Sequence, residues 1–194
     1  MKVLDLKEDI RISTLANYSV NPQIHEKQFD EFTALIANLC GIRIACITLI
    51  DNDRLWFKSN IGMPYNYVSF KRSYCQFTTA NGELTQFSNT ETDPRLANCN
   101  WTEEYAHIRF YAGVPLITAD GIVGTLCIMD DKPQVLTTQQ KEVLISLGKM
   151  VSSLMESRRN TNIIKTETVK ESAKKSGTHP SLSLKGARFV SRSW

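Results

Sequence analysis

Cysteines at positions 40, 46, 75, 99 and 127 are the residues of this sequence best suited to covalent chemistry. None forms a C-x-x-C pair and no histidine stands at zinc-finger spacing from any of them, so no metal centre is expected. An odd number at scattered positions points to a reducing, cytoplasmic compartment and away from a disulfide framework. Cys46 and Cys127 lie inside apolar, strand-like runs, where a thiol acts as a small buried hydrophobe. Cys75 opens a short helical stretch close to Lys71 and Arg72. A helix dipole and nearby cations lower a thiol's pKa and would suit redox sensing, but the preferred reading is an inert thiol, because reactivity also needs exposure.

Arg109, in an aromatic run, is placed either to grip a carboxylate or phosphate in a two-pronged contact or to pair with Asp93 or Asp130. In Asp93-Pro94-Arg95 the arginine could meet a ligand, while turn chemistry makes Asp93 a cap and Pro94 a backbone lock. Trp56 and Phe57 must point to opposite faces of their strand, as must Phe110 and Tyr111, so one of each pair faces any pocket. His107 has no triad partner at a recognisable spacing, and no residue is assigned a catalytic role. Gly113, Gly121 and Gly124 read as hairpin and close-approach glycines, not as a phosphate loop ahead of a helix.

These side chains need elements to hold them. Asn21-Pro22 offers a helix start, Phe29, Phe32, Leu35, Ile36 and Leu39 form one apolar face, and Gly41 ends the helix. Ile42 to Ile50 and Arg54 to Ser59 read as a hairpin around Asp51-Asn52-Asp53. Ser73 to Ala80 reads as a short helix, Glu83 to Ser88 as a brief strand, and Thr90 to Trp101 as a loop with one helical turn. His107 to Ile117 and Gly121 to Met129 form a second hairpin. Thr137-x-x-Gln140 is a capping box opening a helix from about Thr138 to about Arg159. Leu144, Leu147, Val151 and Leu154 step by three, four and three along it, the spacing of a dimer seam or of a core-facing stripe. Local β pairs between terminal helices imply an α+β fold: a central antiparallel sheet, both terminal helices on one face, and loops with the short helix covering a pocket on the other.

With 194 residues, 42% apolar and 22% charged, the chain is neither wholly disordered nor a disulfide knot. No apolar run approaches a membrane span, and Met1 to Arg11 lacks the pattern of a secretory signal. The formal net charge of +3 conceals a division. Residues 1–155 hold 14 basic against 17 acidic side chains, and residues 156–194 hold 9 against 3. The expected organisation is a lead-in over 1–12, one domain over 13–159, and a basic, unfolded tail over 160–194. That tail reads as a solvated linker, not as an arm for nucleic acid or a membrane, and the chain shows no helix-turn-helix or RNA-binding motif.

Ile44 to Ser59 with Ile61-Gly62, Arg109 to Leu116, and Gly124 to Asp130 resemble the motifs of GAF domains, with Ser73-Tyr74-Cys75 and Asp93-Pro94-Arg95 between them. The resemblance runs over about residues 10–159 and points to a bacterial signal-transduction branch. It implies a non-catalytic sensory module that binds a small molecule or a protein, dimerises through its terminal helices, and serves a kinase or cyclic-di-GMP output partner. Trp56, Phe57, Tyr74, Cys75, Asp93, Arg95, Arg109, Phe110 and Tyr111 are then the candidate ligand residues, and Leu144, Leu147, Val151 and Leu154 the candidate dimer helix. Gln76-Phe77 stands where this branch usually has a histidine after the cysteine, which counts against a covalent bilin, and the cofactor is left unassigned. Asn98-Cys99-Asn100-Trp101 also departs from the usual Asn-Pro. The alternative implied by the family is a free methionine-(R)-sulfoxide reductase using Cys75, Cys99 and Cys127.

Overall fold

The structure is a computed structural model that describes Tyr18, Val20, Ile24, residues 26–97, Cys99, Tyr105 and residues 107–175. The expected lead-in over 1–12, Asn21-Pro22, Asn98, Asn100, Trp101 and the last part of the tail, 176–194, lie outside the described residues. The chain divides into one unit over Met1–Asn162 and a second over Ile163–Trp194.

In the first unit, helix α1 spans Lys27–Cys40, with Phe29, Thr33, Ile36, Ala37 and Cys40 buried. Gly41 ends it in the left-handed region at φ 63°, its N–H bonding back to Ala37 and Asn38. The start differs from expectation: Glu26 is extended at φ −133° and the helix begins at Lys27 rather than after Pro22. Strands β1 (Ile44–Asp51) and β2 (Arg54–Ile61) form the first hairpin. A short β3 (Tyr67–Ser69) pairs with β2; three residues show too little alternation to be read from sequence. Helix α2 (Cys75–Asn81), stopped by Gly82, leads to β4 (Thr85–Phe87) and a 3-10 turn at Pro94–Leu96. Strands β5 (Phe110–Thr118) and β6 (Gly121–Asp130) make the second hairpin.

The six strands form one open antiparallel sheet in the order β3-β2-β1-β6-β5-β4. Alternation along it builds two cores. Ala45, Ile47, Leu49, Val114, Leu126 and Ile128 face the terminal helices, while Ile44, Cys46, Phe57, Tyr111, Cys127 and Met129 face α2 and the loops. A bulge breaks the β1–β2 register: Thr48 pairs with Phe57 and Ile47 with Ser59, leaving Lys58 as the extra residue. It turns Lys58 and Ser59 to the same, helix-bearing side.

β4 covers β5 only as far as Gly113, so Val114–Thr118 is an edge. Pro115 has no N–H to offer a further strand, and the Ile117 N–H donates to Ser152 Oγ at 3.1 Å.

Helix α3 spans Thr138–Lys175. Its capping box is reciprocal: the Thr137 N–H donates to Gln140 Oε1 at 3.0 Å and the Gln140 N–H to Thr137 Oγ1 at 3.2 Å. Leu144, Leu147 and Val151 are buried and Leu154 partly so, all in the core against the sheet. The three-four-three stripe is therefore the helix's inward face, the second of its two readings. The helix passes the expected end at Arg159, so residues 160–175 are helical rather than unfolded. The loss of apolar period beyond Asn160 removes burial but not propensity: no Gly or Pro interrupts the stretch until Gly177, and it carries four Lys, two Glu and one Ala, all good helix formers.

Candidate functional site

The candidate residues fall into three places. Phe57 from β2, Tyr74 and Cys75 at the start of α2, and Tyr111 from β5 converge on the loop side of the sheet. Trp56 and Phe110, their strand neighbours, point the other way, as alternation requires. Phe110 joins the helix-side core, and Trp56 packs at a tilt against Tyr67, ring centroids 4.9 Å apart, near the sheet edge with Arg54 over both rings. Asp93, Arg95 and Arg109 stand on the loops flanking β4 and β5.

The loop-side space is occupied by side chains. Tyr74 contacts Phe87, Tyr105 and Tyr111 at ring separations of 5.9, 5.3 and 5.4 Å. Beneath them lies a thiol cluster. Cys75 Sγ sits 4.0 Å from Cys127 Sγ and accepts from Thr125 Oγ1 at 3.1 Å. Cys46 is the cross-strand partner of Cys127. The Thr125 hydroxyl also meets that of Thr48 at 2.7 Å, and Tyr111 meets Thr78 at 2.6 Å. Tyr105 alone in this cluster is unsatisfied: its buried hydroxyl has no hydrogen-bond partner among the described residues.

Burial dominates the electrostatics here. Cys75 is the first residue of α2, yet desolvation, with the Cys127 thiol alongside, pushes its pKa well above the ordinary thiol value. Cys127 is raised by its Cys46 contact together with burial, and desolvation raises Tyr105 and Tyr111. A helix dipole acting on a thiol with no exposed surface loses to the cost of burying a thiolate. Burial and desolvation agree with the inert reading of Cys75. Cys99, half-buried in the loop, is also raised by desolvation.

The arginines are engaged in holding loops. Arg95 donates to both Asp93 carboxylate oxygens, at 2.8 and 2.6 Å, and to the Gln86 carbonyl at 2.8 Å, while lying 4.4 Å over the Phe87 ring. Its hydrogen bonds hold the Asp93 carboxyl below the usual range. Asp93 also caps the 3-10 turn by accepting the Arg95 N–H. Arg109 pairs with Glu91 at 2.9 Å, not with the expected Asp93 or Asp130; Asp130 instead receives the Arg109 N–H on its backbone carbonyl. Among the described residues no group of His, Cys, Asp and Glu is arranged to hold a metal ion.

Two grooves open on the helix side. One, about 350 Å3, lies between α1 and α3 and is lined by Phe32, Leu35 and Leu154 among others. The other, about 660 Å3, lies between α3 and the β5 edge. Beside the first sits a charged cluster that sequence reasoning missed. Lys58, wholly buried, donates to Glu26 Oε1 at 2.6 Å and to the Ile24 carbonyl, and Arg158 of α3 pairs with the other Glu26 oxygen. Burial opposes the Glu26 charge, but these two cations outweigh it and lower its pKa. A lysine in an otherwise apolar and polar-alternating strand was the available signal; only the bulge reveals where it points.

Comparison with known proteins places this geometry. The GAF domain family model matches residues 25–154. A cyclic di-GMP phosphodiesterase of Pseudomonas aeruginosa is 28% identical over 145 residues, which are 74% of this chain and 25% of that protein. The chain thus spans a quarter of the length of that curated relative. Among solved structures, the GAF domain of a phosphoenolpyruvate-protein phosphotransferase from Acinetobacter aligns with TM-score 0.57 and 19% identity, over 80% of this chain and 94% of that one. A free methionine-R-sulfoxide reductase from Neisseria meningitidis aligns with TM-score 0.58 and 17% identity, over 81% and 90%. At these identities the likeness is one of fold. No helix among the described residues is long and apolar enough to cross a membrane.

Proposed function

The chain belongs to the GAF domain family, and from that membership we propose a non-catalytic sensory or regulatory module acting in the cytoplasm through contacts of its terminal helices. The observation that carries this reading is the outward face of α1 and α3. Leu35, Leu39 and Met150 are 45%, 54% and 54% exposed. Leu35 lies one turn from Leu39 on α1, and Met150 one turn from Leu154 on α3, so each pair shares a face. Phe32, Leu35 and Leu154 line the groove between the two helices, a surface suited to a second copy of this chain. The dimer contact is therefore assigned to these outward residues together with Leu154, while Leu144, Leu147 and Val151 hold the helix to the sheet.

A small molecule, if one binds on the loop side, meets Phe57, Tyr74, Cys75 and Tyr111 and requires Tyr74 and Tyr105 to move. The unsatisfied Tyr105 hydroxyl supplies a polar anchor there. The output partner is a signalling enzyme of the cyclic-di-GMP or kinase class, supported by the name of the Pseudomonas relative. Nucleic acid and membrane are not proposed as partners. The reductase alternative is disfavoured by the burial and raised pKa of Cys75 and Cys127.

Light scattering on the full chain tests the reading. A dimer is expected, and Leu35→Glu with Leu39→Glu should return it to monomer with the fold intact by circular dichroism. A wild-type monomer at all concentrations would sink the helix-mediated mode. A thermal-shift screen of cyclic nucleotides, nucleotides and amino acids tests the loop-side site, and stabilisation abolished by Tyr105→Phe would support it.

A further inference from the structure

The open sheet ends at β4 and the bare part of β5 on one side, and at β3 on the other. The first side is closed to a further strand. Pro115 lacks an N–H and Ser152 Oγ holds that of Ile117. Arg95 donates to the Gln86 carbonyl at 2.8 Å, and the Gln134 N–H to the Ser88 carbonyl at 3.0 Å. The β3 edge has no such cover among the described residues, and β3 carries no charge, proline or bulge that would blunt it. The register shows what this edge presents. The Phe57 N–H donates to the Asn66 carbonyl at 2.9 Å and the Phe70 N–H to the Asp53 carbonyl at 2.8 Å. Bonded pairs alternate along an antiparallel ladder, so Val68 bonds inward to Leu55 while Tyr67 and Ser69 turn their backbone groups away from β2. The Ser69 carbonyl opens the 3-10 turn over Phe70–Arg72, which leaves the Tyr67 N–H, the Tyr67 carbonyl and the Ser69 N–H open to a partner.

The side chains beside this edge are basic. Arg54 is exposed, lies 4.9 Å over the ring of Tyr67, and has no ion pair among the described residues. Lys71 and Arg72 are exposed just past the end of β3. Of the acids nearby, Asp53 is paired with Lys71 at 3.0 Å, and Asp51 faces Arg54 from β1, on the side of β2 away from the edge. We propose that the β3 edge receives an extended acidic segment of a partner protein as a further strand, its backbone bonded to Tyr67 and Ser69 and a carboxylate paired with Arg54. The guanidinium already rests on Tyr67, so little side-chain freedom is lost when a carboxylate meets it. A second copy of this chain suits the edge less, because β3 against β3 would bring two sets of Arg54, Lys71 and Arg72 together. The docking depends neither on the helix-mediated dimer nor on a loop-side ligand.

The test titrates the full chain into a fluorescein-labelled peptide of alternating Glu and Val and reads fluorescence anisotropy. Saturable binding of one peptide per chain is expected, with a peptide of alternating Lys and Val bound about tenfold more weakly or not at all. Ser69 has φ −68°, which proline adopts without strain, so Ser69→Pro deletes the outward N–H alone. It should weaken the acidic peptide about tenfold with circular dichroism unchanged, and Arg54→Glu should reverse the preference between the two peptides. A second reading leaves the protein unaltered: methylating one alternate set of nitrogens in the acidic peptide should abolish binding, and methylating the other set should spare it. No saturable binding, equal binding of both peptides, or equal effects of the two methylation patterns would overturn the proposal, the last because charge alone would then hold the peptide. Self-association of the chain that Ser69→Pro abolishes would overturn it as well, since a second copy would then fill the edge.

Discussion

Lys58 Nζ lies 2.6 Å from Glu26 Oε1, with the lysine side chain wholly buried and the carboxylate 26% exposed. The β-bulge that makes Lys58 the extra residue of β2 turns it toward the helices, where Phe29 lies 5.3 Å from the ammonium and 5.0 Å from the Arg158 guanidinium. Glu26 thus joins the sheet to α3 at the residue where α1 is about to begin. It also explains why Glu26 gives its own helix no side-chain cap: the carboxylate is committed to two cations.

Removing one partner of such a pair strands the other in a partly buried site. Lys58→Ala should therefore lower the unfolding free energy by about 3 kcal/mol, and Lys58→Met, which keeps the stem against Phe29, by less. Urea unfolding measures both. A loss below about 1 kcal/mol for the alanine variant would show that the pair is not worth its burial.

Acid should weaken the same junction. The folded-state pKa of Glu26 lies below its ordinary value, so the stabilisation is complete above the unfolded pKa of about 4.3 and is lost as pH falls through the depressed value. Stability measured from pH 6 down to pH 3 should fall, and Glu26→Gln should flatten part of that fall. An identical slope in the variant would remove Glu26 as a source. Asp93, lowered by Arg95, contributes in the same direction and explains a residual slope.

The thiols should report burial. In the native protein, a thiol reagent such as iodoacetamide should modify Cys99 first, the half-buried one of the five, while Cys46, Cys75 and Cys127 react only on unfolding. No turnover of free methionine-(R)-sulfoxide is expected. Rapid native-state labelling of Cys75, or turnover lost on Cys75→Ser, would restore the reductase reading.

Gly124 faces Leu49 across the β1–β6 pair, and a methyl group there would overlap the Thr48 carbonyl oxygen. Because the obstruction is backbone in a central strand pair, it cannot be relieved by a rotamer change. Gly124→Ala should cost about 3 kcal/mol or more, seen as a lowered thermal midpoint. Gly121→Ala, which meets nothing and is strained only by its φ of 108°, should cost less.

The hairpins, the helix-side stripe on α3 and the capping box at Thr137 were legible because each is written in residues close along the chain. Periodicities of two and 3.6, a Gly at a helix end, and a Thr three residues before a Gln act within one strand or turn. The alternation of Trp56 with Phe57, and of Phe110 with Tyr111, likewise established that each pair divides between two faces. Which face holds which residue was decided by tertiary structure, as was the partnership of Arg109 with Glu91. The charged junction depends on a bulge that brings Lys58 to Glu26, 32 residues earlier, and Glu26 to Arg158, far along the chain. Cys75 shows the limit most clearly. Its place at a helix start lies in its neighbours, but the sign of its pKa shift comes from Cys127 and the sheet above it, and desolvation by a whole core outweighs the field of one short helix.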